Sequence, residues 1–252
     1  MTAPMRLAGK VVVVTGGGRG IGRSLATSCA RQGARVAVAA RTLRQLEETV
    51  RAVEREGGEA IAVTADVTDP SELTAMVDTV TGTFGRLDVL VNNAGIMRFG
   101  KFDEMNRADF AEVMNVNVVG TFLATRAVVA TMRNQGGGKI INVASTFGLR
   151  PVRGHAAYSA SKAAVIQFTR VAALELARDG IQVNAIAPGY VETEMTADAL
   201  ADDSVRERIN RRIPAQRVAQ PDELGPLVTF LASAEADYMT GETILFDGGF
   251  HL

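Results

Sequence analysis

Tyr158 and Lys162 stand four residues apart in the run Tyr158-Ser159-Ala160-Ser161-Lys162. On a helix that spacing puts both side chains on one face, so they can enter one cleft. A free tyrosine has a pKa of about 10, too high for ready proton exchange at neutral pH. A neighbouring ammonium favours the phenolate and is expected to lower that value. Such a tyrosine can protonate a developing alkoxide, or take the proton from an alcohol. Ser145, after a strand-like run, can hydrogen-bond a carbonyl oxygen and stabilise the charge that grows on it. Alone, Tyr-x-x-x-Lys is common on amphipathic helices; its company decides its meaning.

A second group carries binding chemistry. Thr15-Gly16-Gly17-Gly18-Arg19-Gly20-Ile21-Gly22 follows a valine-rich run and leads into a helical segment near Arg23. Glycines let a backbone approach a pyrophosphate closely, and a helix start offers free N–H groups and a favourable dipole. Folds of this kind that prefer NAD place an acid at the end of the second strand, to accept from ribose hydroxyls. Here that place holds Arg41, and Arg19 can reach the same point from the glycine turn. Two planar guanidiniums suit a 2′-phosphate, so NADP(H) is the expected cofactor, with NAD(H) an open alternative. Arg44 makes the region basic in any case, and solvated surface arginines are the competing reading. Asp66 can accept from an adenine amino group with Val67 beside the ring. Asn93, Ala94 and Gly95 are small enough to let a cofactor lie against the chain. Each is also an ordinary turn residue.

The elements that must position these residues are legible as an alternation. Short apolar runs at 10–15, 34–40, 60–65, 88–92, 139–144, 182–187 and 243–246 alternate with stretches of helical period such as 43–56 and 156–178. Nearly continuous apolar strands are those covered on both faces. The βαβα rhythm implies right-handed crossovers and one α/β domain over 1–252, a doubly wound Rossmann-type sheet of seven parallel strands with helices on both faces. The unusual residues fall just after the strands, which places them along the carboxyl edge where such sheets bind ligands.

The bulk properties set limits. The chain has 252 residues, 47% of them hydrophobic, and a net charge of −1. That gives no basic face for nucleic acid and no polybasic patch for a membrane. No uninterrupted apolar run approaches a membrane span, and residues 1–10 lack a signal-like stretch. The single cysteine, Cys29, is read as packing and suits a reducing cytoplasm. One cysteine and two histidines, far apart, make a metal site an unfavoured expectation.

In order and spacing these fragments resemble the short-chain dehydrogenase/reductase family, in its single-domain branch. The resemblance covers nearly the whole chain: Thr15–Gly22, Asp66–Val67, Asn92–Gly95, Val116–Gly120, Asn142–Gly148, Tyr158–Lys162, Asn184–Met195 and Thr240–Gly249. It implies hydride transfer between a nicotinamide and a ketone or secondary alcohol, from the pro-S face. Tyr158 would be the general acid/base, with Lys162 lowering its pKa and binding the nicotinamide ribose. Ser145 would orient the substrate oxygen, and Asn117 would hold a water linking the lysine to solvent. Pro188 and Gly189 would pack on the nicotinamide, with Val191 and Thr193 at its carboxamide. Residues 190–212 would form a substrate lid. A homotetramer is implied, with the helices near 108–132 and 156–178 at one interface.

Within the family the chain is similar to bacterial 3-oxoacyl-carrier-protein reductases and to related alcohol dehydrogenases. Two basic positions that meet an acidic carrier protein in those reductases fall here at Gly136 and Asp179, which weakens the carrier reading. Arg133 and Arg178 stand close by as substitutes. Met97, Phe147, Val152, Tyr190 and Met195 are the expected substrate wall, which suits a largely apolar ketone, and His155 is read as a surface loop residue. The four-residue Tyr–Lys spacing disfavours reduction of a carbon–carbon double bond. The competing classes are an NAD-linked alcohol dehydrogenase, a non-catalytic NADP(H) sensor, and a scaffold protein. A scaffold would need an exposed apolar patch or a charged arm, and neither is evident in the sequence.

Overall fold

Four consecutive valines open the sheet. Val11–Thr15 forms β1 and is buried along its whole length. Its odd and even side chains go to opposite faces, as a period of two requires. Val12 and Val14 pack with Leu25, Cys29 and Leu46 on one face; Val11 and Val13 pack with Leu73, Met76 and Leu90 on the other. Each fully buried valine contributes roughly 1.5–3 kcal/mol relative to exposure. The structure, a computed structural model, describes residues 5–252. The first four residues of the expected domain lie outside the described residues.

The other strands are β2 (Arg35–Ala40), β3 (Glu59–Thr64), β4 (Val89–Asn92), β5 (Gly138–Val143), β6 (Ile181–Pro188) and β7 (Thr243–Phe246). They form one seven-stranded sheet in the order β3-β2-β1-β4-β5-β6-β7, every pair parallel. The chain winds outward from β1 to β3, then returns to β4 on the other side of β1. The crevice at that reversal is the ligand site of such sheets. The sheet is the expected one, with strand ends within a residue or two.

Helices α1 (Gly20–Arg31), α2 (Leu43–Arg55), α3 (Pro70–Phe84), α4 (Arg107–Met114), α5 (Gly120–Asn134), α6 (Ala156–Leu176), α7 (Ala197–Leu200), α8 (Asp203–Asn210) and α9 (Gly225–Ala232) connect the strands or cover the sheet. α3 begins well: Pro70 fills the first turn and the Asp69 carboxylate accepts from the Ser71 and Glu72 N–H groups. Cys29 is fully buried, and burial pushes its thiol up to about 12, as a packing cysteine should show.

One sequence expectation, the lack of an exposed apolar patch, needs correction here. α4 and α5 run together through a π-turn at Asn115–Val119, making one helix over Arg107–Asn134. Among the described residues this helix is long and apolar enough, by length and composition, to cross a membrane. Interspersed polar residues hid that from a search for an unbroken apolar run. Its inner side packs Ala124, Val128 and Met132 against the sheet. Its outer side leaves Phe110, Val119 and Phe122 exposed, and α6 leaves Val171 and Leu174 exposed. An exposed apolar surface therefore exists that the sequence had not disclosed.

Candidate active site

The glycine turn is shaped by what side chains would strike. Gly16 has φ +63°, and a Cβ there would lie 2.9 Å from Ala94 Cα; a Cβ on Gly22 would collide with the Gly16 carbonyl oxygen. Asn93 staples this turn to the end of β4. Its amide nitrogen donates to the carbonyls of Thr15 at 3.0 Å and Gly16 at 3.1 Å, while Thr15 Oγ1 accepts from the Asn93 and Ala94 N–H groups, each at 3.1 Å. α1 starts at Gly20 with no side-chain cap, which leaves its first N–H groups without a side-chain acceptor. Bare backbone and a helix start together fit a dinucleotide pyrophosphate.

A cleft of about 370 Å³ runs from this turn along the carboxyl edge. Its walls contain every expected cofactor residue: Gly16, Gly18, Arg19, Gly20, Ile21, Gly22, Arg41, Asp66, Val67, Asn93, Ala94, Gly95, Tyr158, Lys162, Pro188, Gly189, Val191 and Thr193. Ser145 and Met195 line it too, as do Thr42, Gln45, Ile96, Glu194 and Thr196, which sequence reading did not single out. At the adenine end, Arg41 is mostly exposed and lies 3.8 Å from Asp66 Oδ2. Asp66 Oδ1 is occupied by the Thr68 N–H and hydroxyl.

Lys162 is buried, and its ammonium donates to the Val143 carbonyl at 2.7 Å. It lies 5.6 Å from the centre of the Tyr158 ring. Gly95 lies close beside it: a Cβ there would sit 3.2 Å from Asn117 Oδ1 and 3.6 Å from the ammonium nitrogen. The expectation that Lys162 depresses the Tyr158 pKa is not met in this structure. Burial pushes Tyr158 up to about 12, more than its hydrogen bond with Ser145 brings it down. Burial likewise pushes Lys162 down to about 8. Desolvation disfavours both charged forms.

Asn117 sits in the π-turn, a feature that recurs at functional sites. Its side-chain oxygen accepts from Ile96 N–H at 2.8 Å; its amide donates to Ile96 O and to Ser161 Oγ, each at 2.9 Å. The Asn117 amide thus ties the β4 loop to the helix that carries Tyr158 and Lys162, and does not line the cleft. Asn92 and Asn142, paired at 2.9 Å between β4 and β5, extend this buried polar ladder to Thr125 and Thr169.

Phe147 and Tyr190 stand behind the cleft wall, not on it. Phe147 is buried edge-on against Tyr158, Tyr190 and His155, with Phe250 tilted against it. Val152 packs on the same cluster, whereas Met97 stays outside it. His155 is a loop residue just before α6, half-buried, with its ring between Phe99 and Phe147. No motif marked Phe250, whose carbonyl and ring both bind Arg150. Burial raises the Tyr190 phenol, and Arg212, Arg150 and Arg208 work against that rise. Within the expected lid, α7 and α8 are anchored by Arg206, which donates to Glu192 at 2.7 Å and to the Leu200 carbonyl at 3.1 Å.

Away from the cleft, Arg133 donates to Asp179 at 2.6 Å, so the cation expected to substitute at a carrier surface is already engaged. Among the described residues no cluster of metal-ligating side chains occurs.

A family model described as "Enoyl-(Acyl carrier protein) reductase" matches residues 16–251. A 3-oxoacyl-[acyl-carrier-protein] reductase of Synechocystis sp. is 42% identical over 245 residues, covering 96% of this chain and 97% of its own. A short-chain type dehydrogenase/reductase from Mycobacterium marinum superposes with TM-score 0.93 at 38% identity, covering 98% of this chain and 97% of that one. A gluconate 5-dehydrogenase from Burkholderia cenocepacia, solved with NADP and tartrate, superposes with TM-score 0.94 at 37% identity, covering 98% and 97%. The chain belongs to the short-chain dehydrogenase/reductase family. It is an oxidoreductase of that family.

Proposed function

We propose that the protein is an NADP(H)-dependent oxidoreductase that interconverts a ketone and a secondary alcohol, with a 3-oxoacyl thioester or a related small carbonyl compound as substrate. The observation that carries this reading is the convergence of Ser145, Tyr158 and Lys162 on the cleft that also contains the glycine turn, Arg19 and Arg41. Those two guanidiniums suit a 2′-phosphate. The nicotinamide, when bound, supplies or accepts the hydride. Ser145 then donates to the substrate oxygen and stabilises its developing charge. Tyr158 gives its phenolic proton to that oxygen in reduction and recovers it in oxidation. Lys162 holds positive charge beside the ring, favouring the phenolate once formed.

The exposed apolar side chains on α4–α5 and α6 support a homotetramer, and the single buried cysteine suits a reducing cytoplasm. A second reading, oxidation of a free small alcohol, draws on the Arg133–Asp179 pair, which leaves fewer cations for an acidic carrier. NADPH oxidation against a panel of a short 3-oxoacyl thioester and aliphatic, aryl and cyclic ketones separates the two. Thioester turnover supports the first. Inactivity on the thioester with turnover of simple ketones or alcohols supports the second, and binding of neither NADPH nor NADH overturns both.

A further inference from the structure

Behind the glycine turn lies a set of contacts that face away from the cleft. Arg23, on the first turns of α1, donates from one nitrogen to the Gly18 carbonyl at 2.6 Å and to Glu48 Oε2 at 3.0 Å. Its Nε donates to Thr49 Oγ1 at 3.1 Å, and the Thr49 hydroxyl donates to the Gly17 carbonyl at 2.9 Å. Two successive carbonyls of the turn are therefore drawn toward α2. In a trans peptide the C=O and the following N–H point in opposite directions. The Gly18 and Arg19 N–H groups are thereby turned from α2, and among the described residues neither donates to a protein acceptor. Gly18 and Arg19 line the same cleft wall as Arg41. Glu48 shares its second oxygen with Arg44 at 2.8 Å, so one carboxylate serves two guanidiniums and the region stays positive.

We propose that Arg23, with Thr49, is a positioning residue for the cofactor's 2′-phosphate: it holds the Gly17 and Gly18 carbonyls on the α2 side, so that the Gly18 and Arg19 amides add backbone donors to the guanidiniums of Arg19 and Arg41. Touching no cofactor itself, it acts through the peptide planes it fixes. The inference rests on the NADP(H) reading above. It assigns part of the preference to backbone orientation and not to side-chain charge alone.

The test compares dissociation constants for NADPH, NADH and 2′,5′-ADP in the parent, Arg23→Leu, Arg23→Lys and Thr49→Val, each first checked for an unchanged far-UV spectrum and Tm. In Arg23→Leu, NADPH and 2′,5′-ADP weaken about tenfold, the loss of about one charge-assisted hydrogen bond, while NADH weakens much less. Arg23→Lys recovers part of the loss, since an ammonium can still reach one carbonyl. Should Arg23→Leu fail to fold, Thr49→Val, which frees only the Gly17 carbonyl, shows the same selectivity at smaller size. Equal weakening of NADPH and NADH, or no weakening, overturns the proposal. The parent's own NADPH-to-NADH ratio judges the cofactor reading separately: a parent that prefers NADH removes that reading whatever the variants do.

Discussion

The Lys162 ammonium is bonded to the Val143 carbonyl at 2.7 Å, at the very end of β5. A cation fixed on a strand terminus and surrounded by protein loses much of its hydration, and one backbone carbonyl does not replace it. This is why burial pushes Lys162 down to about 8 from its ordinary value.

That shift predicts a pH dependence of stability. Below pH 10.5 the unfolded chain carries the Lys162 proton, whereas the folded chain sheds it from about pH 8 upward. A depressed folded pKa gives stability that is present above the unfolded value and lost as pH falls through the folded one. The stability of the cofactor-free protein should therefore rise from pH 8 to pH 10, by at most about 1.4 kcal/mol per pH unit from this group. Tyr158 acts in the opposite sense, but only as pH climbs from 10 toward its raised value of about 12. Tm measured from pH 8 to 10 should rise for the parent relative to Lys162→Met. Parallel profiles would mean that Lys162 keeps an ordinary pKa.

Tyr158→Phe removes one oxygen and leaves the ring that packs against Phe147. Turnover should fall by at least about a hundredfold, the lower range for loss of a general acid. NADPH binding, followed by nicotinamide fluorescence, should be little changed. A variant as active as the parent would remove Tyr158 from the mechanism.

Arg41→Asp places a carboxylate where the exposed guanidinium now sits. The ratio of kcat/KM for NADPH to that for NADH should fall by about ten- to a hundredfold, from loss of charge-assisted bonds to the 2′-phosphate. The new carboxylate also lies beside Asp66, so some loss of stability should accompany it. An unchanged ratio would show that Arg41 is only a solvated surface residue.

Leu174 is 82% exposed and Phe122 45% exposed, on the two helices that share the apolar outer surface. The double substitution Phe122→Glu, Leu174→Glu should lower the mass measured by light scattering while the far-UV spectrum is retained. A mass unaltered from the parent would place the subunit interfaces elsewhere on the molecule.

Strand positions were legible because β1, β4 and β6 are almost wholly apolar, a pattern set by burial on both faces. The Tyr158–Lys162 pair was legible because helical spacing alone aligns it. What stayed hidden depends on distant parts of the chain. The Lys162 bond to Val143 spans 19 positions, the Arg23 contact with Glu48 spans 25, and Arg150 meets Phe250 across 100. The upward pull of burial on Tyr158 was not legible either, because the sequence shows a neighbouring charge but not the packing around the ring. The π-turn at Asn117 went unread, because the valines and asparagines of Asn115–Val119 fit a helical period without marking where the hydrogen-bond pattern widens.

The return of the chain from β3 to the far side of β1 has a consequence during synthesis. β1 can pair with β2, and β2 with β3, soon after they leave the ribosome, but the other edge of β1 must wait for β4, whose Val89 aligns with Val12. At translation speeds of about 5–20 residues per second, that edge stays open for several seconds. The open edge is a run of valines, the kind of strand that pairs with another copy if nothing else arrives. Asp88, which closes the gap by accepting from the Val11 N–H at 2.9 Å and from Arg86, emerges just ahead of β4. Newly made chains are thus most exposed to misassembly between the third strand and the fourth, and a nascent chain stalled there should be the form most in need of a chaperone.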